Sequence, residues 1–147
     1  MNPSPVEVHR ESSGFFVATN ARGARIRIGR VADGADFSPV ELLLAALGAC
    51  AGLSAEGVVG RTVGEEAPMA VHVAGTKDKP TNRLDTIRMA FDVDLSTLDD
   101  DERATLAIKI VRAVERGCTV SRTVEPGTSV ELAPLPGGPG SAGEPRS

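Results

Sequence analysis

The two cysteines of the chain, Cys50 and Cys118, are the side chains best suited to do chemistry. A thiolate is a nucleophile, and two thiols that meet can cycle between a dithiol and a disulfide. Cysteine is also a small apolar residue that packs well in a core. A structural disulfide is uncommon in a reducing cytosol, so two interpretations stay open: a pair of buried packing residues, or a redox pair.

Cys50 lies in the most apolar segment of the chain, DFSPVELLLAALGACAGLSAEG. A proline there suits the first helical position, Ser38 can cap the helix, and Glu41 completes the S-x-x-E pattern of a capping box. The segment therefore predicts a helix that starts after the serine and runs to about Gly57 or Gly60.

One face of this predicted helix carries the cysteine together with Leu43, Leu47 and Ser54. Its other faces are apolar too, with Leu42, Leu44, Ala45 and Ala49. A helix that is apolar on several sides has to be covered on several sides, and one small sheet cannot do that. A second copy of the chain is the expected cover.

Alternating apolar and polar residues predict five strands around this helix, at residues 6–10, 15–19, 25–28, 69–74 and 83–95. A second helix with an acidic first turn should stop at Gly117, directly before Cys118. A short last strand is predicted at residues 128–132. The order β-β-β-α-β-β-α-β indicates an α+β domain over residues 1–133, followed by a disordered Pro/Gly-rich tail, residues 134–147.

Composition excludes several classes of protein. The length of 147 residues predicts a single domain, and the net charge of −4 argues against a nucleic-acid partner. The N-terminus has no apolar signal segment, and the apolar run Val40–Leu47 is too short to span a bilayer, so a cytoplasmic protein with no membrane partner is expected. His9 and His72 have no metal-ligand spacing, and we expect no metal site.

The cysteine-bearing segments carry a family resemblance. The sequence SPVELLLAALGAC, followed later by Cys118 in VERGCTVSRTV, resembles the OsmC/Ohr family of osmotically inducible and organic-hydroperoxide-resistance proteins. The resemblance covers about residues 5–133 and is nearer to the OsmC-like branch than to Ohr. It implies an intertwined homodimer with central apolar helices, two sites at the subunit interface, and a peroxidase that acts on organic hydroperoxides in the response to oxidative stress.

The resemblance also implies a role for each cysteine. Cys50 would be the peroxidatic cysteine, which attacks the peroxide and becomes a sulfenic acid, and Cys118 the resolving cysteine, which condenses with it to a disulfide. An external dithiol, of the lipoyl type in this family, would reduce that disulfide, and no bound cofactor is implied. The alternative from another class is a dimeric protein with little or no catalysis that binds a small apolar ligand in the interface pocket.

Family members support the nucleophile with an arginine from the N-terminal strand region. An apolar setting raises the pKa of a thiol, so a nearby cation has a physical purpose. Arg10 is the nearest match, Arg22 and Arg30 compete with it, and Arg122 is a further candidate because CTVSRTV resembles the cysteine segment of the branch. For each of them, an exposed surface arginine is the alternative.

The glutamate that orients this arginine in the family stands one position earlier, where this chain has Val40. Glu41 is nine residues before Cys50, which is half a turn around the helix and about 13–14 Å along its axis. Glu41 is therefore expected to cap the helix, and a catalytic role would need a kink or a second subunit. Thr119, where many relatives have proline, is a smaller departure.

Overall fold

The computed structural model describes residues 2–131 and has an α+β architecture. Its elements are β1 (Val6–Ser12), β2 (Phe15–Asn20), β3 (Arg25–Gly29), α1 (Pro39–Val63), β4 (Met69–Asp78), β5 (Arg83–Val93), α2 (Asp100–Gly117) and α3 (Thr119–Val124). A single turn of 3₁₀ helix at Val31–Asp33 precedes α1. The first three strands form an antiparallel meander, and β4 and β5 form a separate antiparallel hairpin. The predicted class and the order of elements through the second helix are confirmed.

The start of α1 follows from its capping box. The backbone N–H of Glu41 donates to the Ser38 hydroxyl at 3.2 Å, and the Ser38 N–H donates to the Glu41 carboxylate at 2.7 Å. Two of the N–H groups that a helix start leaves unpaired are thereby satisfied. The expected capping role of Glu41 is confirmed.

The end of α1 differs from the prediction. The helix continues past Gly57 and Gly60 to Val63, and the chain turns at Gly64, where φ is +113°. Gly60 lets the next segment pack closely, because a Cβ there would lie 3.3 Å from the Cα of Glu65. In a sequence, a glycine that allows close packing inside a helix looks the same as a glycine that ends the helix. The predicted end of α1 at Gly57 or Gly60 was wrong for this reason.

The core forms along one side of α1, between β4 and α2. Its fully buried side chains lie one helical turn apart, at Leu47, Ala51, Ala55 and Val59, and Leu106 of α2 packs with them. A Cβ on Gly48 would come within 2.8 Å of the Val73 side chain, so the glycine sets how closely the helix approaches the hairpin. The small residues of α1 thus allow tight packing on two sides.

The second helix is also capped as its acidic start suggests. Asp99 and Glu102 form a reciprocal capping box, and α2 ends at Gly117. The predicted strand at 128–132 is wrong for residues 128–131, which form no regular secondary structure; Leu132 and the predicted tail lie outside the described residues. A strand needs an edge to pair with, and Val130 is 91% exposed. The short helix α3 follows Cys118 instead.

Within residues 2–131, α1 is the helix whose length and composition would suffice to cross a membrane. The helix is 25 residues long, much longer than the apolar run Val40–Leu47 that is too short to span a bilayer. A third of its most apolar stretch is buried inside the fold, and the core helix of a globular protein passes the same test.

Replacement of the α1 cap measures how far the fold depends on it. We expect Ser38→Ala to lower the free energy of unfolding by about 1 kcal/mol, because the Glu41 N–H loses its acceptor. Urea denaturation at a fixed protein concentration measures this change. Ser38→Asp keeps a capping oxygen and should retain most of the stability; an equal loss in both variants would contradict the capping account.

Candidate active site

Cys50 and Cys118 come together where the end of α2 meets the middle of α1. The Ser54 hydroxyl, one turn after Cys50, donates to the Cys50 carbonyl at 2.8 Å. A Cβ on Gly117 would lie 3.2 Å from that hydroxyl oxygen. The absent side chain of Gly117 therefore lets the end of α2 press against α1, and the next residue, Cys118, reaches the face that carries Cys50.

The two thiols differ in their access to solvent. Cys50 is half-buried at the edge of the packed face of α1, whereas Cys118 is fully buried. Both are free thiols. A reagent from solvent meets Cys50 first, and Cys118 lies behind it as a second thiol.

Cys118 occupies the N-cap position of α3 and accepts hydrogen bonds there. The Ser121 hydroxyl lies 3.2 Å from its Sγ and the Ser121 N–H lies 3.5 Å from it. Burial raises the pKa of the Cys118 thiol, but hydrogen bonds from the Ser121 side chain and backbone, the Cys50 side chain and the Val120 backbone together outweigh burial. The net result is a pKa below the ordinary value for a cysteine, which favours the thiolate.

Glu41 lies away from the two cysteines. Its carboxylate accepts the Ser38 N–H and lines a groove of about 500 Å³ between α1 and β4, with Gly48 and Val71. The Ser38 backbone and then its side chain hold the pKa of Glu41 below its usual value. The carboxylate is thus ionised and engaged at the helix start.

Arg10 lies on the three-stranded sheet. Its guanidinium sits over the ring of Phe16, 5.9 Å from the centroid. It lines a cavity of about 670 Å³ between the sheet and the start of α1, with Val8, Phe16, Ile28, Arg30 and Pro39. Cys50 is three turns further along α1 than Pro39, and in the described part of the chain no hydrogen bond joins Arg10 to either thiol.

The other candidate arginines are engaged elsewhere. Arg122 on α3 donates to the Glu115 carbonyl at 3.1 Å, and Arg30 pairs with Asp33 at 2.8 Å. Arg22 belongs to the β2–β3 turn. In the part of the chain that the structure describes, no arginine forms a hydrogen bond with Cys50 or Cys118.

Ser121 is the site residue that sequence reasoning missed, and Gly117 is one whose packing role it missed. Ser121 stands three residues after Cys118, the spacing at which an N-cap side chain meets the N3 backbone. That signal is present in CTVS. Cysteine is not among the usual capping residues, so the pattern did not stand out as a cap.

Known proteins resemble this chain along most of its length. The family model described as OsmC-like protein matches residues 32–133, more than half of the chain. Uncharacterized proteins of Mycobacterium tuberculosis (strain ATCC 25618 / H37Rv) and Mycobacterium bovis are each 36% identical over 125 residues, which is 85% of this chain and 91% of theirs.

Solved structures agree on the fold. An OsmC-like protein from Mycoplasma pneumoniae superposes with a TM-score of 0.66 at 17% identity, covering 84% of this chain and 88% of its own. The organic hydroperoxide resistance protein OhrB of Bacillus subtilis gives 0.54 at 22% identity, covering 82% and 89%. The extensive sequence matches, with a fold found in both branches, carry the conclusion that this chain belongs to the OsmC-like protein family.

Proposed function

We propose that the chain is a thiol-dependent peroxidase that reduces organic hydroperoxides through Cys50 and Cys118. The observation that carries this proposal is the pairing of a half-exposed thiol with a fully buried one whose sulfur is held by hydrogen bonds. The exposed thiol meets the oxidant, and the buried thiol is in place to remove the oxidised product. If the two cysteines served only to pack the core, one of them would not need to be more exposed to solvent than the other.

The reaction proceeds in three balanced steps. The Cys50 thiolate attacks one oxygen of the hydroperoxide, the O–O bond breaks, and the alcohol leaves with a proton while Cys50 becomes a sulfenic acid. Cys118 attacks the Cys50 sulfur, the S–O bond breaks, and water leaves. A dithiol then reduces the disulfide by thiol exchange and is itself oxidised. A dihydrolipoyl-type dithiol fits this last step.

The surroundings of Cys50 favour a substrate with an apolar tail. Leu47 packs beside it in the core, and Leu43 and Leu53 lie uncovered on the outer side of α1, where Leu53 is 69% exposed. The chain has no Trp and no Tyr. An alkyl or aryl group that covers these leucines is removed from water, and hydrogen peroxide gains nothing comparable.

We also propose that the working form is a homodimer. The support for this proposal is the apolar surface that one chain leaves uncovered on α1 and on the three-stranded sheet, since large exposed apolar patches mark sites of protein–protein contact.

Uncovered apolar residues on α1 and on the sheet support the proposal that a second copy packs there. The outer side of α1 is open at Leu53 and its first turn at Val40. The sheet is open at Val8, Phe16 and Ile26. The Arg10 cavity belongs to this open sheet. Assembly of two chains over these faces would place Arg10 at the interface, where it can serve as the cation that Cys50 lacks within one chain.

A comparison of two oxidants tests the substrate class. We expect cumene hydroperoxide to oxidise Cys50 at least ten times faster than hydrogen peroxide does. A tail that buries about 100 Å² gains up to about 2.5 kcal/mol, or roughly 70-fold, before the cost of ordering it is subtracted. Stopped-flow rates on a Cys118→Ser background report Cys50 alone. Equal rate constants would favour the alternative function, a dimeric protein that binds an apolar ligand without efficient catalysis.

Single cysteine variants test the two roles. Cys50→Ser should abolish turnover, because no sulfenic acid forms. Cys118→Ser should still form the sulfenic acid, which a dimedone adduct on Cys50 detects by mass spectrometry, but should form no intramolecular disulfide. Normal dithiol-driven turnover in Cys118→Ser would show that Cys118 is not the resolving residue.

Sedimentation at micromolar concentration tests the dimer. We expect the unmodified chain to sediment as a dimer and Leu53→Glu to shift it toward the monomer, because a charge would be buried at the interface. Lys109→Glu, a charge change at an exposed position of α2, is the control and should leave the dimer intact. A monomer in the unmodified chain contradicts the proposal.

A further inference from the structure

Ser121 is the one buried polar side chain among the residues that the structure describes. Three other helix hydroxyls, those of Ser54, Thr62 and Thr123, donate to the carbonyl four residues earlier. This is the usual bond for a hydroxyl inside a helix. The Ser121 hydroxyl donates instead to the Cys118 sulfur at 3.2 Å.

Donation to the Cys118 sulfur is an unfavourable choice for the buried Ser121 hydroxyl unless that sulfur is a thiolate. A neutral thiol is a weak hydrogen-bond acceptor, so a buried hydroxyl aimed at it would be poorly satisfied. A thiolate is an anion, and hydrogen bonds to charged groups are about twice as strong as those between neutral groups. The geometry around Cys118 is therefore suited to a thiolate.

We propose that Ser121 is a positioning residue that holds the Cys118 sulfur in its ionised form and aims it at Cys50. The inference rests on the proposed function, because it assigns this thiolate to the resolving step. The thiolate attacks the sulfur of the Cys50 sulfenic acid and the S–O bond breaks. Hydroxide leaves and takes a proton to become water, and the two sulfurs are joined in a disulfide.

No charged side chain supplies this effect in the described part of the chain. The groups that act on the Cys118 thiol are Ser121, Cys50 on α1 and the Val120 backbone, and together they lower its pKa against the opposing effect of burial. Arg122, on the same short helix, is directed to the Glu115 carbonyl. Among these groups Cys50 is itself ionisable. The Ser121 hydroxyl does not ionise, so Ser121 is the one side chain among them that keeps its donor at any pH of the assay.

The test measures the attack of Cys118 on the Cys50 sulfur in the absence of any peroxide. Cys50, the more exposed thiol, is converted to a mixed disulfide with thionitrobenzoate, and attack by Cys118 releases the coloured thiolate. The rate is followed across pH in the unmodified chain and in Ser121→Ala. Thr123→Ala, which removes an exposed hydroxyl from the same helix, is the matched control. Ser121→Thr keeps the hydroxyl and should restore the rate.

We expect Ser121→Ala to raise the pH midpoint of release by about one unit, the effect of losing one hydrogen bond to a charged group. Below the midpoint, release should slow by about threefold to tenfold. The thiolate fraction falls tenfold, and the remaining thiolate is more nucleophilic, which returns part of the loss. Thr123→Ala should match the unmodified chain in both measurements.

An unchanged midpoint and rate in Ser121→Ala would overturn the proposal. If Ser121→Ala does not fold, the pair Ser121→Thr and Ser121→Val answers the same question, because the two side chains are of similar size and differ in the hydroxyl. The assay uses no peroxide. A Ser121 effect without any peroxide reaction at Cys50 would therefore remove the proposed peroxidase and leave the role of Ser121 in thiol–disulfide exchange.

Discussion

The close approach of Gly117 to Ser54 governs the geometry of the candidate site. A Cβ at residue 117 would stand 3.2 Å from the Ser54 hydroxyl oxygen, a distance tighter than side chains normally tolerate. With glycine there, α2 ends against α1 and Cys118 enters the core beside Cys50. The chain must then turn at once, and the thiol of Cys118 caps the helix that follows. One contact between helices thus fixes the position of the second thiol and the donors around it.

The apolar character of α1 imposes a second constraint. One side of the helix is buried against β4 and α2, but Leu53 on another side and Val40 in the first turn remain uncovered. The three-stranded sheet packs mainly on itself and leaves Phe16 and Ile26 uncovered as well. A contiguous apolar patch left open on a folded chain marks a site where another surface packs. In the proposed homodimer, a second copy would cover both open surfaces together, so the proposed function links assembly to completion of the site.

Short-range sequence patterns correctly predicted the features that depend on neighbouring residues in the chain. The capping box at Ser38, the alternation along β5 and the acidic start of α2 each depend on neighbours within a few residues, and each was correct. The end of α1 was wrong because Gly60 is needed for packing against a later segment. The strand at 128–132 was wrong for the described residues because pairing depends on a distant edge.

The candidate site was also predicted only in part. Cysteine identity and the family resemblance indicated the thiol pair, and the fold brings the two residues together. Ser121 was missed because a cysteine cap is not a usual pattern. The role of Arg10 stays a prediction, since its position relative to Cys50 depends on how two chains assemble, and a single sequence contains no direct signal for that.

Under the proposed function, Cys118 and Cys50 differ in what their own chain supplies and what a second copy would add. Cys118 has its donors within its own chain, namely the Ser121 hydroxyl and the Ser121 backbone N–H, and Cys50 adds to the lowering of its pKa. Cys50 lies about three turns into α1, beyond the reach of the helix N-terminal field, and Glu41 is occupied at the cap. Activation of Cys50 therefore needs a cation from outside its immediate surroundings, whereas disulfide formation does not. Weak assembly should consequently slow the reaction with peroxide and leave the resolving step nearly intact.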